Sequence, residues 1–391
     1  MKRVCVLLIS GAALAVSMPT LAVVSHVFVS NEGDDTLSLI RCVTSNGKNP
    51  IKCEEKERMD VGFGTSWPAN QYEGHPAWWW TGLSGEVIGI KAKASLSPLK
   101  NANNLVAVDT YDLPGAPVKT GSRSNFIGIS PDGHSAWNSA REIDEIQEII
   151  TDPDNPNFGT IVQRIPVPDM DPITGPTGSN GAARPCDATI TPDGRYFLEP
   201  DLGGESMTIV DTVTKQIIYQ MLPPLADGSD KVLPFMATTN GKIVLVENLE
   251  LDNTYDIWDI SGLPAEPVHL KKLTQQADGL GVNAQTSEFT PDGRYAFLIM
   301  NGVANADPAS ADASRLDVLD VMDGSATYLQ IVNHIMLPNN CRAHTGDFSN
   351  DGRYFFVDCN GRDEVAVVDS QALQVVASIA VGAGPRGVIV R

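Results

Sequence analysis

Internal repetition constrains the fold of this 391-residue chain more than any other feature of its sequence. Each repeat is an alternating apolar segment, a Pro/Asn-Asp-Gly turn and a second alternating segment. This is the pattern of a β-hairpin, because glycine accepts the positive φ that such turns require. The four clear copies are FIGISPDGHSAWNSA (126–140), DATITPDGRYFLEP (187–200), SEFTPDGRYAFLIM (287–300) and GDFSNDGRYFFVDC (346–359). Two weaker copies have their turns at Ser84-Gly85 and Asn240-Gly241.

The spacing of the repeats indicates a β-propeller. Successive turn glycines are 47 to 61 residues apart. After most hairpins a third strand ends near an acidic residue and a fourth strand follows, as in MTIVDT and QIIYQML. Four short antiparallel strands in about 50 residues are typical of a propeller blade. The sequence therefore predicts an all-β chain of four-stranded antiparallel blades.

The two ends of the chain predict how the ring of blades closes. HVFVSNEGDDTLSLI (26–40) matches the second and third strands of a repeat, and VGAGPRGVIVR (381–391) matches a first strand. We expect the C-terminal strand, about residues 386–391, to join the N-terminal blade, because this removes two exposed sheet edges. Six internal turns plus this shared blade predict a seven-bladed β-propeller with about 53 residues per blade, in a single domain spanning 23–391.

These repeats resemble the YVTN-type seven-bladed β-propeller repeats of exported bacterial and archaeal proteins. The resemblance lies in VFVSNEGDDTLSLI, VAVVDSQALQVVASIAVGAGPRGVIV and the PDGRY turns, and it covers nearly the whole chain after residue 22. The resemblance implies a seven-bladed β-propeller fold. Proteins of this kind include surface-layer proteins, amine-dehydrogenase heavy chains, the haem-binding propeller of a nitrite reductase and lactonases. Function must therefore be argued from the site.

Residues 1–22 predict a secretory signal peptide. Lys2 and Arg3 form a basic start, residues 4–16 are apolar and uncharged, and small residues allow cleavage after Ala22. The apolar run is shorter than the roughly 20 residues of a membrane span, so we expect a periplasmic or secreted protein rather than a membrane anchor. The 48 acidic and 28 basic residues give a formal net charge of −20. This charge argues against nucleic acid or an anionic membrane as the main partner.

Export makes the cysteines candidates for disulfides. Cys42 and Cys53 flank a polar loop and are the best candidate pair. Cys341 and Cys359 lie on either side of a turn and could meet across a hairpin. This pairing leaves Cys186, whose fate stays open between a buried thiol, a metal ligand, a nucleophile and a different disulfide.

The candidate ligand-binding residues precede the first strand of each blade, because that strand lines the central channel of a propeller. They are Arg123, Arg184, Arg342, Arg386, His75 and His344, with Asp187 beside them. Guanidinium groups that converge on an acidic protein would form a positive pocket for carboxylate or phosphate groups. The alternative is that each arginine pairs with an aspartate of a neighbouring blade, such as Asp187 or Asp347, and only ties blades together.

Other side chains near the channel keep further chemistries open. His75 and His344 are candidate haem or metal ligands or a general base, although two histidines without a third ligand form a poor zinc signature. Trp78, the first of three consecutive tryptophans, is a candidate to stack on a sugar, quinone or porphyrin, or to pack between blades.

Together these features predict an exported propeller that acts as a binding, accessory or assembly subunit. Its arginine- and histidine-lined face would hold a partner protein or a small anionic ligand. The alternative is an enzyme, either a redox propeller that carries haem or a metal-dependent, lactonase-like hydrolase. Whether the chain is catalytic, and whether it carries a cofactor, stay open from the sequence.

Overall fold

The computed structural model describes residues 23–44, 51–60, 68–70, 78–83, 86–92, 108–110, 118–120, 124–152, 154–169, 182–224, 233–249, 253–307, 310 and 312–390. Side chains are described for 24–44, 51–58 and 120, and within the set from 127 onward. The predicted signal peptide, Arg123 and His75 lie outside the described residues.

The described residues form an all-β protein. The strands of the N-terminal part are β1 (Val23–Asn31), β2 (Thr36–Thr44), β3 (Lys52–Asp60), β4 (Pro68–Asn70), β5 (Trp78–Leu83), β6 (Glu86–Ala92), β7 (Val108–Thr110) and β8 (Val118–Lys119). Those of the middle part are β9 (Ser124–Ile129), β10 (Ser135–Ala140), β11 (Glu145–Ile150), β12 (Ile161–Pro166), β13 (Thr189–Ile190), β14 (Tyr196–Asp201), β15 (Ser206–Asp211), β16 (Gln216–Met221), β17 (Pro234–Thr239), β18 (Ile243–Asn248), β19 (Thr254–Asp259) and β20 (Val268–Leu273). Those of the C-terminal part are β21 (Ala284–Phe289), β22 (Tyr295–Met300), β23 (Arg315–Asp320), β24 (Ile331–Met336), β25 (Gly346–Phe348), β26 (Tyr354–Cys359), β27 (Glu364–Asp369), β28 (Gln374–Ala380) and β29 (Pro385–Val390). The helical elements in this described set are α1 (Gln275–Asp278) and the 3₁₀ turns Arg141–Ile143 and Asn360–Arg362.

Six of the sheets have four antiparallel strands, as the repeats predict. Five of these sheets are formed by consecutive strands, namely β9–β12, β13–β16, β17–β20, β21–β24 and β25–β28. The sixth has the order β29-β1-β2-β3, and its inner strand β29 pairs antiparallel with β1, with Ile389 opposite Phe28.

The sheet formed by β4–β8 departs from the four-strand pattern, because two short strands share one neighbour. β7 pairs with residues 90–92 of β6, and β8 pairs with residues 86–87 of the same strand. The side chain of Trp78, at the start of β5, is outside the described side chains.

Successive sheets pack face to face. Leu245 and Leu298, from two successive sheets, belong to one buried apolar cluster. Phe297 and Phe355 join the next pair of sheets in the same way. Strands such as β14, β15 and β23 are buried along their whole length, because neighbouring sheets cover both of their faces. Each fully buried large apolar side chain contributes about 1.5–3 kcal/mol, so these clusters are the main source of stability.

The Asp-Gly-Arg part of each repeat is used to build the blade. Thr191 Oγ1 donates to Asp193 Oδ1 at 2.6 Å, and the backbone N–H of Arg195 donates to the same oxygen at 3.0 Å. The Arg195 guanidinium forms an ion pair with Asp211 at 2.6 Å. The last repeat has the same arrangement. Arg195 and Arg353 therefore have structural partners within their own sheets.

The turn glycines also allow close contact between successive turns. A Cβ on Gly194, which has a φ of +72°, would lie 2.7 Å from Cδ of Pro131 in the preceding turn. Gly241 meets Pro192 in the same way, at 3.2 Å. Gly293 has a φ of +68° but open space around its Cβ position, because the preceding turn, Asn240-Gly241, has no proline. The repeated Pro-Asp-Gly sequence therefore serves the contact between sheets as well as the turn itself.

Both predicted disulfides are present. Cys42–Cys53 joins β2 to β3, and Cys341–Cys359 joins the segment before β25 to the end of β26. Cys186 is buried and belongs to neither disulfide. The described residues contain no helix of the length and apolar character that crossing a membrane requires.

Candidate functional site

The segments that lead into four inner strands each begin with a left-handed residue, and we call them the lead-in segments. They are Arg184-Pro185-Cys186, Asn283-Ala284-Gln285, Arg342-Ala343-His344 and Gly384-Pro385-Arg386. The first residue of each segment is left-handed, with φ values of 54°, 53°, 53° and 59° respectively. Since glycine occupies this position in one segment, the fold itself does not require a side chain there. A non-glycine residue in this conformation costs roughly 1–3 kcal/mol.

Side chains of the preceding sheet hold the lead-in segments in place. The acceptors of the first backbone N–H of three segments are Asp144 Oδ1 for Arg184 at 2.7 Å, Ser314 Oγ for Arg342 at 2.8 Å and Asp363 Oδ1 for Gly384 at 2.8 Å. A glycine also packs against the side-chain stem of Arg184 and of Arg342. A Cβ on Gly361 would lie 2.4 Å from the Asn340 carbonyl oxygen and 3.2 Å from the Arg342 stem, and Gly203 has the same relation to Arg184.

Three lead-in segments meet around one cavity of about 440 Å³, which we call the polar pocket. Its lining residues are Leu249, Asn253, Asn283, Gln285, Asn301, Arg342, His344, Asn360 and Arg386. They come from the sheets of β17–β20, β21–β24 and β25–β28 and from β29. Two arginines and a set of amide side chains therefore face a single space.

The asparagines of the polar pocket are oriented by the backbone. Asn283 Nδ2 donates to the carbonyl oxygen of Gly302 at 2.8 Å. Asn301 Nδ2 donates to that of Ala343 at 3.0 Å, and Asn360 Nδ2 donates to that of Pro385 at 3.1 Å. Each amide nitrogen is occupied by a carbonyl of a lead-in segment or a neighbouring loop. The amide oxygen is then the acceptor that each residue can offer to a ligand.

Arg386 is the half-buried cation of the polar pocket. Its Nη1 forms an ion pair with Glu32 Oε2 at 2.6 Å, and its Nε lies 3.4 Å from His344 Nε2. Burial lowers the pKa of Arg386, but the hydrogen bond to Glu32 and the charges of Glu32, Asp187 and Asp358 outweigh this effect and raise it. Arg386 therefore stays charged.

His344 is a neutral imidazole in this environment. Burial and, to a smaller extent, the positive charge of Arg386 lower its pKa to about 3. Its Nε2 faces the Arg386 Nε–H donor, so the neutral ring can accept this bond only with its proton on Nδ1. The positive charge of the pocket therefore comes from the two arginines.

The predicted site residues are separated by the structure. Arg342, His344 and Arg386 line the polar pocket, and Asp187 lies near enough for its charge to act on Arg386. Arg184 is exposed and does not line this pocket. Within the described part of the chain, neither Arg184 nor Arg342 forms an ion pair, whereas Arg386 pairs with Glu32 of its own sheet.

Glu32, Asn301 and Asn360 are part of the site although sequence reasoning did not select them. Each occupies the loop directly after a second strand, and the contact between Glu32 and Arg386 joins residues 354 positions apart. A signal was present in the sequence, because a glycine follows each of the three at residues 33, 302 and 361. No three His, Cys, Asp or Glu side chains in the described ranges are arranged to hold a metal ion.

Comparison with solved structures identifies similar folds at low sequence identity. A periplasmic gluconolactonase from Pseudomonas aeruginosa is 14% identical with a TM-score of 0.66, covering 94% of this chain and 99% of that one. Hydrazine synthase from Kuenenia stuttgartiensis is 14% identical with a TM-score of 0.58, covering 83% and 88%. The dihydro-heme d1 dehydrogenase NirN in complex with DHE is 16% identical with a TM-score of 0.55, covering 93% and 74%.

No family model and no curated protein matches the chain. The structural neighbours are β-propeller proteins. Together with the six four-stranded antiparallel sheets, this similarity shows that the chain has a β-propeller fold.

Proposed function

We propose that this protein is an exported seven-bladed β-propeller that binds a small anionic, polar ligand in the polar pocket. One observation carries the proposal. Arg342 and Arg386 line a single cavity with three anchored asparagines, in a protein whose formal net charge is −20. Local positive charge on an acidic protein selects anions, and guanidinium groups bind carboxylate or phosphate through paired hydrogen bonds.

The seven-bladed ring is supported by the pairing of the two chain ends. β29 is the inner strand of the sheet that contains β1. This sheet also shares an apolar cluster with the sheet of β25–β28, through residues such as Val27 and Phe356. A ring in which every sheet has two neighbours leaves no exposed face at either end of the chain.

A periplasmic or secreted location is supported by the two disulfides, which persist in oxidising compartments. The predicted signal peptide of residues 1–22 points to the same location.

The polar pocket suits a ligand that has an acidic group and several hydroxyl groups. The arginines supply donors for the acid, and the amide oxygens of the asparagines accept bonds from hydroxyls. One structural neighbour is described as a periplasmic gluconolactonase. D-gluconate is therefore a suitable first probe, with sulfate as an anion without hydroxyl donors and D-glucose as a neutral sugar.

Isothermal calorimetry on wild type and on Glu32→Gln/Arg386→Gln tests the proposal. This double variant replaces the ion pair by two amides and leaves the net charge of the protein unchanged. We expect wild type to bind gluconate, and the variant to bind at least about tenfold more weakly, because a hydrogen bond to a charged group contributes about 1.5–3 kcal/mol. Arg195→Gln/Asp211→Asn is the matched control, since it neutralises an equally short ion pair in the sheet of β13–β16, which does not line the polar pocket.

Two results would contradict the proposal. Wild type that binds neither gluconate nor sulfate would exclude an anion-binding pocket. Equal weakening in both double variants would show that the effect is not local to the polar pocket.

The enzyme alternatives and a role as an assembly subunit stay predictions. A hydrolytic enzyme would need His344 as a general base, and its Nε2, which carries the one lone pair of the neutral ring, would first have to leave the Arg386 donor. Assay of lactone hydrolysis with wild type and His344→Gln tests this version. A visible absorption spectrum and metal analysis of the purified protein test the haem and metal versions, and co-purification tests the assembly role.

A further inference from the structure

Asp358 lies directly behind the polar pocket, on the fifth position of β26. Its carboxylate is fully buried. Asp358 Oδ1 accepts the backbone N–H of His344 at 2.6 Å and that of Thr345 at 2.8 Å. Oδ2 is also buried and accepts no hydrogen bond from the described part of the chain. Oδ1 therefore holds the lead-in segment, while Oδ2 has no hydrogen-bond donor among the described residues.

The fold does not require an acid at this position. The fifth residues of the other described six-residue second strands are Gly82, Ser139, Pro200, Glu247 and Ile299. In β14, the backbone carbonyl of Pro200 accepts the N–H of Cys186 at 2.9 Å and replaces the side-chain contact. Proline and isoleucine thus occupy the fifth position in other sheets, so the presence of Asp358 in β26 must be explained by its own surroundings.

That local reason is the electrostatics of Arg386. The charge of Asp358 acts on the guanidinium, which also carries the ion pair to Glu32. An ionised Asp358 is therefore a third carboxylate acting on Arg386, beside Glu32 and Asp187, before any ligand arrives. An anion bound at Arg386 would add a fourth negative group, whereas a protonated Asp358 removes one of them.

Burial raises the pKa of Asp358 to about 7, and the two backbone N–H bonds and the charge of Arg386 only partly oppose this. The neighbouring titratable groups behave differently. Burial keeps His344 neutral, with a pKa of about 3. Asp347, on the adjacent inner strand, has its pKa raised by burial to about 6 and interacts with Glu288.

Two further charged groups act on partners other than Asp358. Glu364 at the start of β27, which is opposite β26, is paired with Arg362 at 2.9 Å. The charge of Asp187 acts on Arg386. Asp358 is thus the carboxyl that bonds directly to the lead-in segment and also acts on the pocket cation.

We propose that Asp358 is a positioning residue of the polar pocket and that its proton controls the affinity of the pocket for anions. This inference rests on the proposed function. The ionised and protonated carboxyl both hold the His344 backbone through Oδ1, and the proton is carried by Oδ2. Anion binding at Arg386 favours the protonated form, so binding takes up a proton and strengthens as the pH falls.

The first measurement uses wild type alone. Gluconate stays ionised between pH 6 and pH 8, so its own charge is constant. We expect its affinity to fall about tenfold over this range, which is the size of the interaction between like charges several ångströms apart in a half-buried site. Calorimetry at pH 7 in HEPES and in Tris, which differ in ionisation enthalpy, should show net proton uptake.

The second measurement assigns the proton to Asp358. Asp358→Asn can still accept both N–H bonds, and Asp358→Ser places at this position the residue found at 139 in β10. We expect gluconate affinity in both variants to be independent of pH. Asp201→Asn is the matched control, because burial raises the pKa of Asp201 to about 8 in a sheet that does not line the pocket. It should keep the wild-type slope.

The outcomes separate this inference from the proposed function. Wild type that binds no anion at any pH refutes the proposed function, and this inference with it. Binding with an unchanged pH slope in Asp358→Asn or Asp358→Ser keeps the proposed function and overturns this inference, and assigns the proton to another group such as Asp347. Binding without proton uptake in wild type overturns it as well.

Discussion

Replacing Arg342 by glycine separates the cost of its backbone conformation from the use of its guanidinium. Arg342 has a φ of 53°, and Gly384 occupies the same position of another lead-in segment with a φ of 59°. Removing a side chain from the left-handed region relieves about 1–2 kcal/mol. The greater chain entropy of glycine costs about 0.5–1 kcal/mol, and the lost packing of the Arg342 stem over Gly361 reduces the gain further.

We therefore expect Arg342→Gly to leave the free energy of unfolding unchanged or to raise it by up to about 1 kcal/mol. Gluconate binding should become about 10- to 100-fold weaker, because charge-assisted hydrogen bonds to the ligand are lost. Arg184→Gly is the matched control: its φ of 54° and its underlying glycine are equivalent, but it lies outside the polar pocket. This control should show the same stability change and unchanged binding.

Urea denaturation and calorimetry measure the two effects independently. Loss of more than about 1 kcal/mol of stability in Arg342→Gly would mean that the arginine has a structural role that outweighs its backbone strain. Unchanged gluconate affinity, with wild type binding normally, would remove Arg342 from the site. Equal loss of binding in both variants would refute the distinction between the two lead-in segments.

Two further predictions concern stability. Gly194→Ala should lower the free energy of unfolding by about 2–4 kcal/mol, because its Cβ would lie 2.7 Å from Pro131 at a positive φ. Gly293→Ala has open space around its Cβ and should lose only about 1 kcal/mol in the same urea titration. Equal losses in the two variants would contradict the turn-to-turn contact. Asp201→Asn should stabilise the protein at pH 8 by about 1–3 kcal/mol, and the difference should vanish near pH 4. The reason is that burial raises the folded-state pKa of Asp201 to about 8, so the stability it contributes is complete at acid pH and is lost as the pH rises towards that value. Asparagine is accommodated at this position in two other sheets, where Asn31 and Asn248 end the corresponding strands and each bond two side chains of the next strand. Thermal unfolding measured at the two pH values checks the prediction, and a variant less stable than wild type at pH 8 would contradict this reasoning.

The local order of the fold was predictable from the sequence, because it depends on residues close together in the chain. Asp-Gly turns with alternating flanks specify hairpins through short-range contacts such as that of Thr191 with Asp193. Cys341 and Cys359 were predictable as a pair for the same reason, since the hairpin brings them together. In the sheet of β4–β8 the pairing of β5 with β6 was predictable from the weaker copy at Ser84-Gly85. The two strands that share β6 as a neighbour were not, because β7 and β8 are too short to carry a pattern.

The composition of the site was decided by tertiary structure. The sequence placed Arg184, Arg342 and Arg386 in equivalent segments, but the first two occupy the exposed left-handed position and Arg386 lies two places further along. Residues two places apart in extended chain lie on the same face, and Arg342 and Arg386 both line the polar pocket, whereas Arg184, at the position of Arg342 in its own segment, does not. The packing of the sheets therefore decides which arginines share the cavity. Only packing of the sheets brings Glu32 to Arg386 across 354 residues and turns the asparagines towards the lead-in segments. Hairpins are encoded locally, whereas a pocket shared by four sheets exists only once those sheets have packed together.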